Sequence, residues 1–307
     1  MDIFLQQIIN GLVLGSIYAL VALGYTMVYG ILGLINFAHG DIVMIGALVT
    51  LSVTAALAAS GLPPLAIMLI ALLAATLVCV PLAVTIERVA YRPLRRAPRL
   101  APLITAIGVS ILLQYGAALI WGKQYISMPE LFAPTAVSIG GAQFTDLQAY
   151  IFLLACGVMG GLLWFIKSSR IGRAMRATEQ NPDVAGLMGV DTNRIIAFTF
   201  LLGSAVGALA GVMVVLYYGL GHYFMGFMLG LKAFTAAVLG GIGNVAGAML
   251  GGLLLGLIES LASGYIGDLT GGLLGSNYRD IFAFLVLIAV LVLKPAGLMG
   301  QHVSERA

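Results

Sequence analysis

PLAIMLIALLAATLVCVPLAVTIERVAYRPLRRAPR, residues 64–99, decides the medium in which this chain folds. No charged residue occurs between Pro64 and Ile86, and then Arg88, Arg92, Arg95, Arg96 and Arg99 follow in close succession. A helix rises about 1.5 Å per residue, so about 20 apolar residues cross a ~30 Å hydrocarbon core. The apolar run at 64–87 has that length, and the arginines mark where it leaves the lipid. The rest of the chain repeats the pattern, because 61% of its 307 residues are hydrophobic and only 9% are charged. Soluble domains carry roughly 25% charged residues. The 15 basic and 12 acidic side chains cannot cover a water-facing globule of this length, which excludes a soluble enzyme.

Further apolar segments lie at 5–35, 41–60, 101–122, 147–166, 195–218, 233–262 and 279–294, giving about eight spans and no room for a separate catalytic domain. None shows the ten-residue alternation of a membrane barrel, and helices satisfy their own backbone hydrogen bonds in lipid. The expectation is an all-α, polytopic transmembrane bundle formed by one domain, 1–307. The run at 5–35 is too long for one span and 233–262 is long and rich in glycine. Each reads as a span joined to a broken or re-entrant half-helix, while 279–294 is short. The first apolar run has no Lys or Arg before it, so a cleaved signal peptide would lack its basic region. Cys79 and Cys156 both lie inside apolar runs and read as buried small residues.

Ten of the 15 basic residues fall in two short segments, the five arginines above and Lys167, Arg170, Arg173, Arg176 and Arg194. The positive-inside rule makes both cytoplasmic and puts the loop between 122 and 147 outside. With no basic residue before Arg88, the N-terminus is placed outside. Eight crossings then put the C-terminus outside as well, against the weak pull of Lys294 and Arg306. Trp121 and Trp164 stand near span ends, where interfacial anchors belong.

Glycines four apart form close-packing ridges: Gly203, Gly207 and Gly211; Gly243, Gly247 and Gly251; Gly11 and Gly15; Gly157 and Gly161. They suit packing inside the bundle or pairing with another chain. A weak repeat joins the two overlong runs. GLINFAHGD at 33–41 overlays GGIGNVAGA at 240–248, with Gly33 on Gly240, Ile35 on Ile242 and Gly40 on Gly247. Paired interruptions of this kind point to a transport path, since a half-helix N-terminus offers N–H groups to a carboxylate. Packing glycines or interfacial loops are the alternative. Candidate path residues are Asn36, His39, Gly40, Asp41, Gly240, Gly241, Gly243, Asn244 and Glu259. A central carboxylate is costly in lipid, so Glu259 must face protein or water. His39 and Asp41 are two apart and do not share a helix face, so neither a metal site nor a proton relay is supported.

The passage RIGRAMRATEQNPDVAGLMGVDTNRI, residues 170–195, is the most specific. Asn181 suits an N-cap, Pro182 the first helical position and Gly189 the residue just past the end. They enclose a helix of about seven residues, with Val184, Leu187 and Met188 in one stripe. A helix so short needs something to dock against, either a soluble partner or the lipid surface.

Asp183-Val184-Ala185-x-x-x-Gly189 is similar to the E-A-A-x-x-x-G loop of ABC-importer permeases, with Asp for Glu and Val for Ala. Together with NFAHGD at 36–41, ERVAYRPLR at 87–95 and KAFTAAVLGGIGNVAGAMLGGL at 232–253, it closely resembles the branched-chain amino-acid ABC-importer permeases, in their H-type subunit. The resemblance covers nearly the whole chain and departs most at 123–146 and after Pro295. It implies a multi-pass bacterial inner-membrane permease whose partners are an M-type permease, two cytoplasmic ATPases and a periplasmic amino-acid-binding protein. Asn181, Pro182, Asp183, Val184, Ala185, Leu187, Met188 and Gly189 would form the ATPase-coupling helix. No cofactor is expected on this chain, ATP and Mg being used by the partner ATPases, and no nucleic acid.

The sequence itself agrees on energy supply. It contains no G-x-x-x-x-G-K-[ST] loop; Gly116 to Lys123 has the wrong spacing, with Gln124 where the hydroxyl belongs. Leucine, isoleucine and valine are the implied cargo, with urea or short amides as the rival within the superfamily. A secondary transporter or channel coupled through Asp41, His39 or Glu259 is a further alternative. A membrane enzyme finds no converging nucleophile or acid–base pair.

Overall fold

The computed structural model describes residues 2–300 except Arg96, Arg99, 133–134, Gly140 and 273–277. Arg96, Arg99 and Arg306, counted above among the basic residues, lie outside the described residues. The chain runs as α1 (Asp2–Leu32), α2 (Ala38–Leu57), α3 (Pro64–Ile86), a π-helical turn (Glu87–Tyr91), a 3-10 turn (Arg92–Leu94) and α4 (Leu100–Trp121). Then come β1 (Ile126–Ser127), β2 (Ala136–Ile139), β3 (Ala142–Thr145), α5 (Asp146–Ser168), α6 (Arg170–Gln180), α7 (Pro182–Leu187) and α8 (Thr192–Tyr218). The last elements are β4 (Leu220–Gly221), α9 (Met225–Gly240), α10 (Val245–Leu269) and α11 (Arg279–Leu293).

Among the described residues, seven helices are long and apolar enough to cross a membrane: α1, α2, α3 with its continuation to Leu94, α4, α5, α8 and α10. The two overlong runs resolve differently from the expectation. The run at 5–35 is one continuous helix of 31 residues, ended by Gly33 at φ +63°; it carries no half-helix. The run at 233–262 does break, but its first helix starts upstream at Met225 and is 16 residues long. Its second, α10, is a full 25 residues rather than half a span. The break falls where Gly241 and Gly243 take φ +107° and +91°, a region that glycine enters without steric cost. The 279–294 segment is a 15-residue helix, about 22 Å long.

The repeat between 33–41 and 240–248 has a structural counterpart. In that overlay Ala38 falls on Val245, and these are the first residues of α2 and α10. Gly40 and Gly247 then occupy the same helical position, and each meets another glycine. A Cβ on Gly40 would lie 2.4 Å from the Gly226 carbonyl oxygen, and one on Gly247 2.4 Å from that of Gly240.

The residues cluster into two compact units. One comprises 27–133 and 160–231. In it α2 packs on α3, α4 and α8 around a core that includes Ile42, Leu48, Cys79 and Phe200. Gly211 lets α8 approach so closely that a Cβ would lie 2.5 Å from the Val43 carbonyl oxygen. Trp121 donates to the Ser52 hydroxyl at 2.7 Å, while Trp164 is exposed. Strands β1 and β4 pair antiparallel, Ile126 opposite Gly221.

The other unit comprises 1–26, 134–159 and 232–307. Here α1 and α10 meet glycine to glycine: a Cβ on Gly256 would lie 2.3 Å from the Gly15 Cα. The ridge of Gly11 and Gly15 is therefore internal packing. Among the described residues, nothing lies within 4 Å of where a Cβ would sit on Gly157 of this unit, nor on Gly161 of the first. Cys156 is exposed on α5, against the expectation of burial, and Cys79 is buried as expected. The hairpin of β2 and β3 adds a strand pair that the all-helical reading did not foresee.

Candidate functional site

The 170–195 passage folds as its caps dictate. Ser169 accepts from the Gly172 amide at 2.8 Å to start α6. Asn181 then breaks the helix with φ −160°, and its Oδ1 accepts from the amides of Asp183 at 3.1 Å and Val184 at 3.0 Å. Pro182 takes the first position, where no N–H is needed. The helix closes on Gly189 at φ +86°. The Val190 amide reaches the Ala185 carbonyl and the Gly189 amide that of Gly186, both at 3.0 Å, which is a Schellman ending. Ala185 is the buried residue of α7. Val184, Leu187 and Met188 are 52%, 87% and 81% exposed. The apolar stripe foreseen from the sequence is thus exposed among the described residues.

Several basic residues beside α7 are engaged at neighbouring helix ends. Arg176 donates to the Ile166 and Lys167 carbonyls and Arg173 to that of Ser168. These are the free carbonyls at the end of α5, where positive charge is favourable. Arg194 pairs with Asp191, the N-cap of α8, at 2.9 Å.

A groove of about 890 Å³ opens next to α7, lined among others by Tyr29, Leu32, Arg92, Arg95, Asp183 and Asn193. Its arginines are tied to Glu87, whose side chain is fully buried. Arg92 approaches Glu87 at 3.2 Å, and Arg95 pairs with it and donates to Asn193 Oδ1 at 2.7 Å. Burial pulls the Arg95 guanidinium below its ordinary value, and the Glu87 carboxylate opposes that shift.

The candidate path residues separate into two groups. Asn36 accepts from the Tyr91 hydroxyl at 2.7 Å in the turn before α2. His39 is buried on α2, with Gly207 of α8 against its ring. Asp41 is fully buried and accepts from Ser110 and, at 3.1 Å, from Gln114, both on α4. In the second group, Gly240 and Gly247 touch, Gly241 and Gly243 make the turn, and Asn244 caps α10 through the Gly247 amide at 3.0 Å. The Leu298 and Met299 amides close the end of α9 by donating to Leu239 and Gly240, each at 2.9 Å. The Leu298 and Met299 amides close this second turn, and Gly40, Gly240 and Gly247 each stand at a close backbone approach.

Glu259 is not alone. Lys232 donates to it at 2.7 Å and Tyr18 at 2.9 Å, with Arg279 at 3.5 Å and Asp280 on the other side of Lys232 at 2.7 Å. Lys232 stands just before the apolar run 233–262 and is not among the candidate residues. Only the upstream start of α9 puts it in the middle of a helix. The described residues hold no group of three or more His, Cys, Asp or Glu that could bind a metal.

Comparison with known proteins fits this geometry. The family model of the branched-chain amino acid transport system permease component matches residues 7–291. This chain belongs to that family. It is 44% identical to the high-affinity branched-chain amino acid transport system permease protein LivH of Salmonella typhimurium and 45% identical to that of Escherichia coli K12. Each alignment covers 99% of this chain and 97% of the relative. BraD of Pseudomonas aeruginosa, with the same description, is 44% identical over 99% of this chain and 98% of its own length. The permease is accordingly a multi-pass inner-membrane protein, and the capped α7 lies within the matched region.

Proposed function

We propose that this permease is the H-type membrane subunit of an ATP-driven importer of branched-chain amino acids. The observation that carries the reading is α7, a helix capped at both ends whose apolar stripe is left for a partner. Supporting it is the basic segment 167–194 that contains α7, which the positive-inside rule assigns to the cytoplasm together with 88–99. In this reading Val184, Leu187 and Met188 enter a groove on one of two ATPase subunits, which bind ATP and Mg. An M-type permease completes the path, and a periplasmic binding protein delivers leucine, isoleucine or valine. Closure of the ATPases would push α7 and swing the permease pair between its two openings. Substrate choice would rest largely with the binding protein, in keeping with Asp41 being occupied by Ser110 and Gln114 and Glu259 by Lys232 and Tyr18.

Affinity capture of the solubilised permease from native membranes, read by mass spectrometry, tests the assembly. Two ATPases and a second permease are expected, and recovery of an active lone chain would refute it. Uptake of labelled leucine into cells should stop on ATP depletion and survive an ionophore that collapses ion gradients. The reverse result would favour the ion-coupled alternative, and uptake of urea without leucine would favour the amide permeases.

A further inference from the structure

We propose that Arg95 is a positioning residue for energy coupling, tying the segment that leaves α7 to the end of α3. The inference rests on α7 being the ATPase-docking helix. Asn193 is the second residue of α8, two positions after the Asp191 cap, in the segment that follows α7. Its side chain accepts from Arg95 at 2.7 Å. The same guanidinium holds Glu87, the buried residue that opens the π-helical turn at the end of α3. Tyr91, which closes that turn, donates to Asn36 at 2.7 Å and so reaches the turn between α1 and α2.

A push on α7 can move the spans only through contacts that hold under it. α7 itself buries one small side chain, Ala185, and its outward stripe belongs to the partner. The Arg95 fork supplies what α7 lacks: two directed, charge-assisted bonds to two different segments. Glu87 is a fixed anchor for it, because this buried carboxylate is held by Arg92 as well and has no route to water. Irregular π turns inside helices also mark functional positions more often than ordinary turns do.

The test uses the complete importer in liposomes, with amino-acid uptake and ATP hydrolysis measured together. Asn193→Leu removes one arm of the fork without touching Glu87. It should assemble with its ATPases and hydrolyse ATP, while uptake per ATP falls about tenfold, the scale of one lost hydrogen bond to a charged group. Asn193→Asp should restore the ratio, and Arg95→Lys, which lacks the fork, should lower it. A wild-type ratio for Asn193→Leu overturns the proposal, as does failure of Asn193→Asp to do better than Asn193→Leu. A low yield of Asn193→Leu complex with a normal ratio in what assembles also overturns it. Leu187→Asp separates the two levels: if it keeps its ATPases and a normal ratio, the docking reading falls and this proposal with it. If Leu187→Asp is defective and Asn193→Leu is normal, only the role of Arg95 falls.

Discussion

Lys232 Nζ lies 2.7 Å from Glu259 Oε1, joining α9 to α10 by a buried ion pair within the apolar helices. Tyr18 bonds both partners, and Asp280 and Arg279 extend the pair onto α11. Removing one member of such a pair leaves an uncompensated charge, at a cost of about 3–5 kcal/mol. Lys232→Met should therefore lower the thermal midpoint of the detergent-solubilised permease sharply. Lys232→Met with Glu259→Gln should recover part of the loss, because the remaining group is neutral. Equal stability of the single variant and the wild type would mean that the pair contributes nothing to the fold.

Disturbing α7 should separate folding from function. Leu187 is 87% exposed, so Leu187→Asp exchanges no buried contact of this chain. Membrane level and thermal midpoint should stay unchanged while ATPase capture and leucine uptake are lost. Gly189→Pro should do the same by removing the positive φ and the amide that end the helix. Asn181→Ala, which loses two cap bonds, should weaken α7 by about 1 kcal/mol and reduce uptake partially. Normal uptake by all three would remove α7 from the mechanism.

Asp41 distinguishes an importer driven by ATP from one driven by ions. Its carboxylate is held by Ser110 and Gln114 in a fully buried site, so an amide can replace it while keeping both neighbours satisfied. Asp41→Asn should transport at close to the wild-type rate. Asp41→Leu removes the acceptor of both buried side chains and leaves them only the 3.0 Å bond from Gln114 to Ser110, at a cost of about 1–3 kcal/mol, and should be less stable. Loss of transport in Asp41→Asn with normal membrane levels would instead show that the charge is used.

What the sequence disclosed depended on the range of the interaction. The cap at Asn181, the stop at Gly189 and the outward stripe between them were legible because each is made by residues a few positions apart. Span positions were legible because lipid imposes length and composition. The breaks at 33–37 and 241–244 were visible as glycines, yet whether they opened or closed depended on Gly226, Leu298 and Met299, which no local pattern announces. The partners of Glu259 and Arg95 were hidden for the same reason. Lys232 and Asn193 come near them only when helices distant in sequence are packed. Cys156 was misjudged because an apolar helix in lipid is uncovered wherever protein does not meet it, and apolarity no longer reports burial.

The glycine contacts give the sharpest separation between packing that the chain needs and surface that it leaves open. α1 and α10 are so close that a Cβ on Gly256 would meet the Gly15 backbone at 2.3 Å and one on Gly252 the Ala19 backbone at 2.4 Å. Neither neighbour is the end of a flexible side chain, so the helices themselves must part. Gly256→Val should then cost more than the ~3 kcal/mol typical of an overpacked core. It should sharply reduce the yield of folded permease after gentle solubilisation. Gly160→Val places the same side chain where nothing lies within 4 Å and should leave the thermal midpoint of the isolated chain unchanged. A tolerated Gly256→Val would show that α1 and α10 can separate without loss of the fold. In that case the glycines would have to be explained by motion between the two helices rather than by their fixed approach.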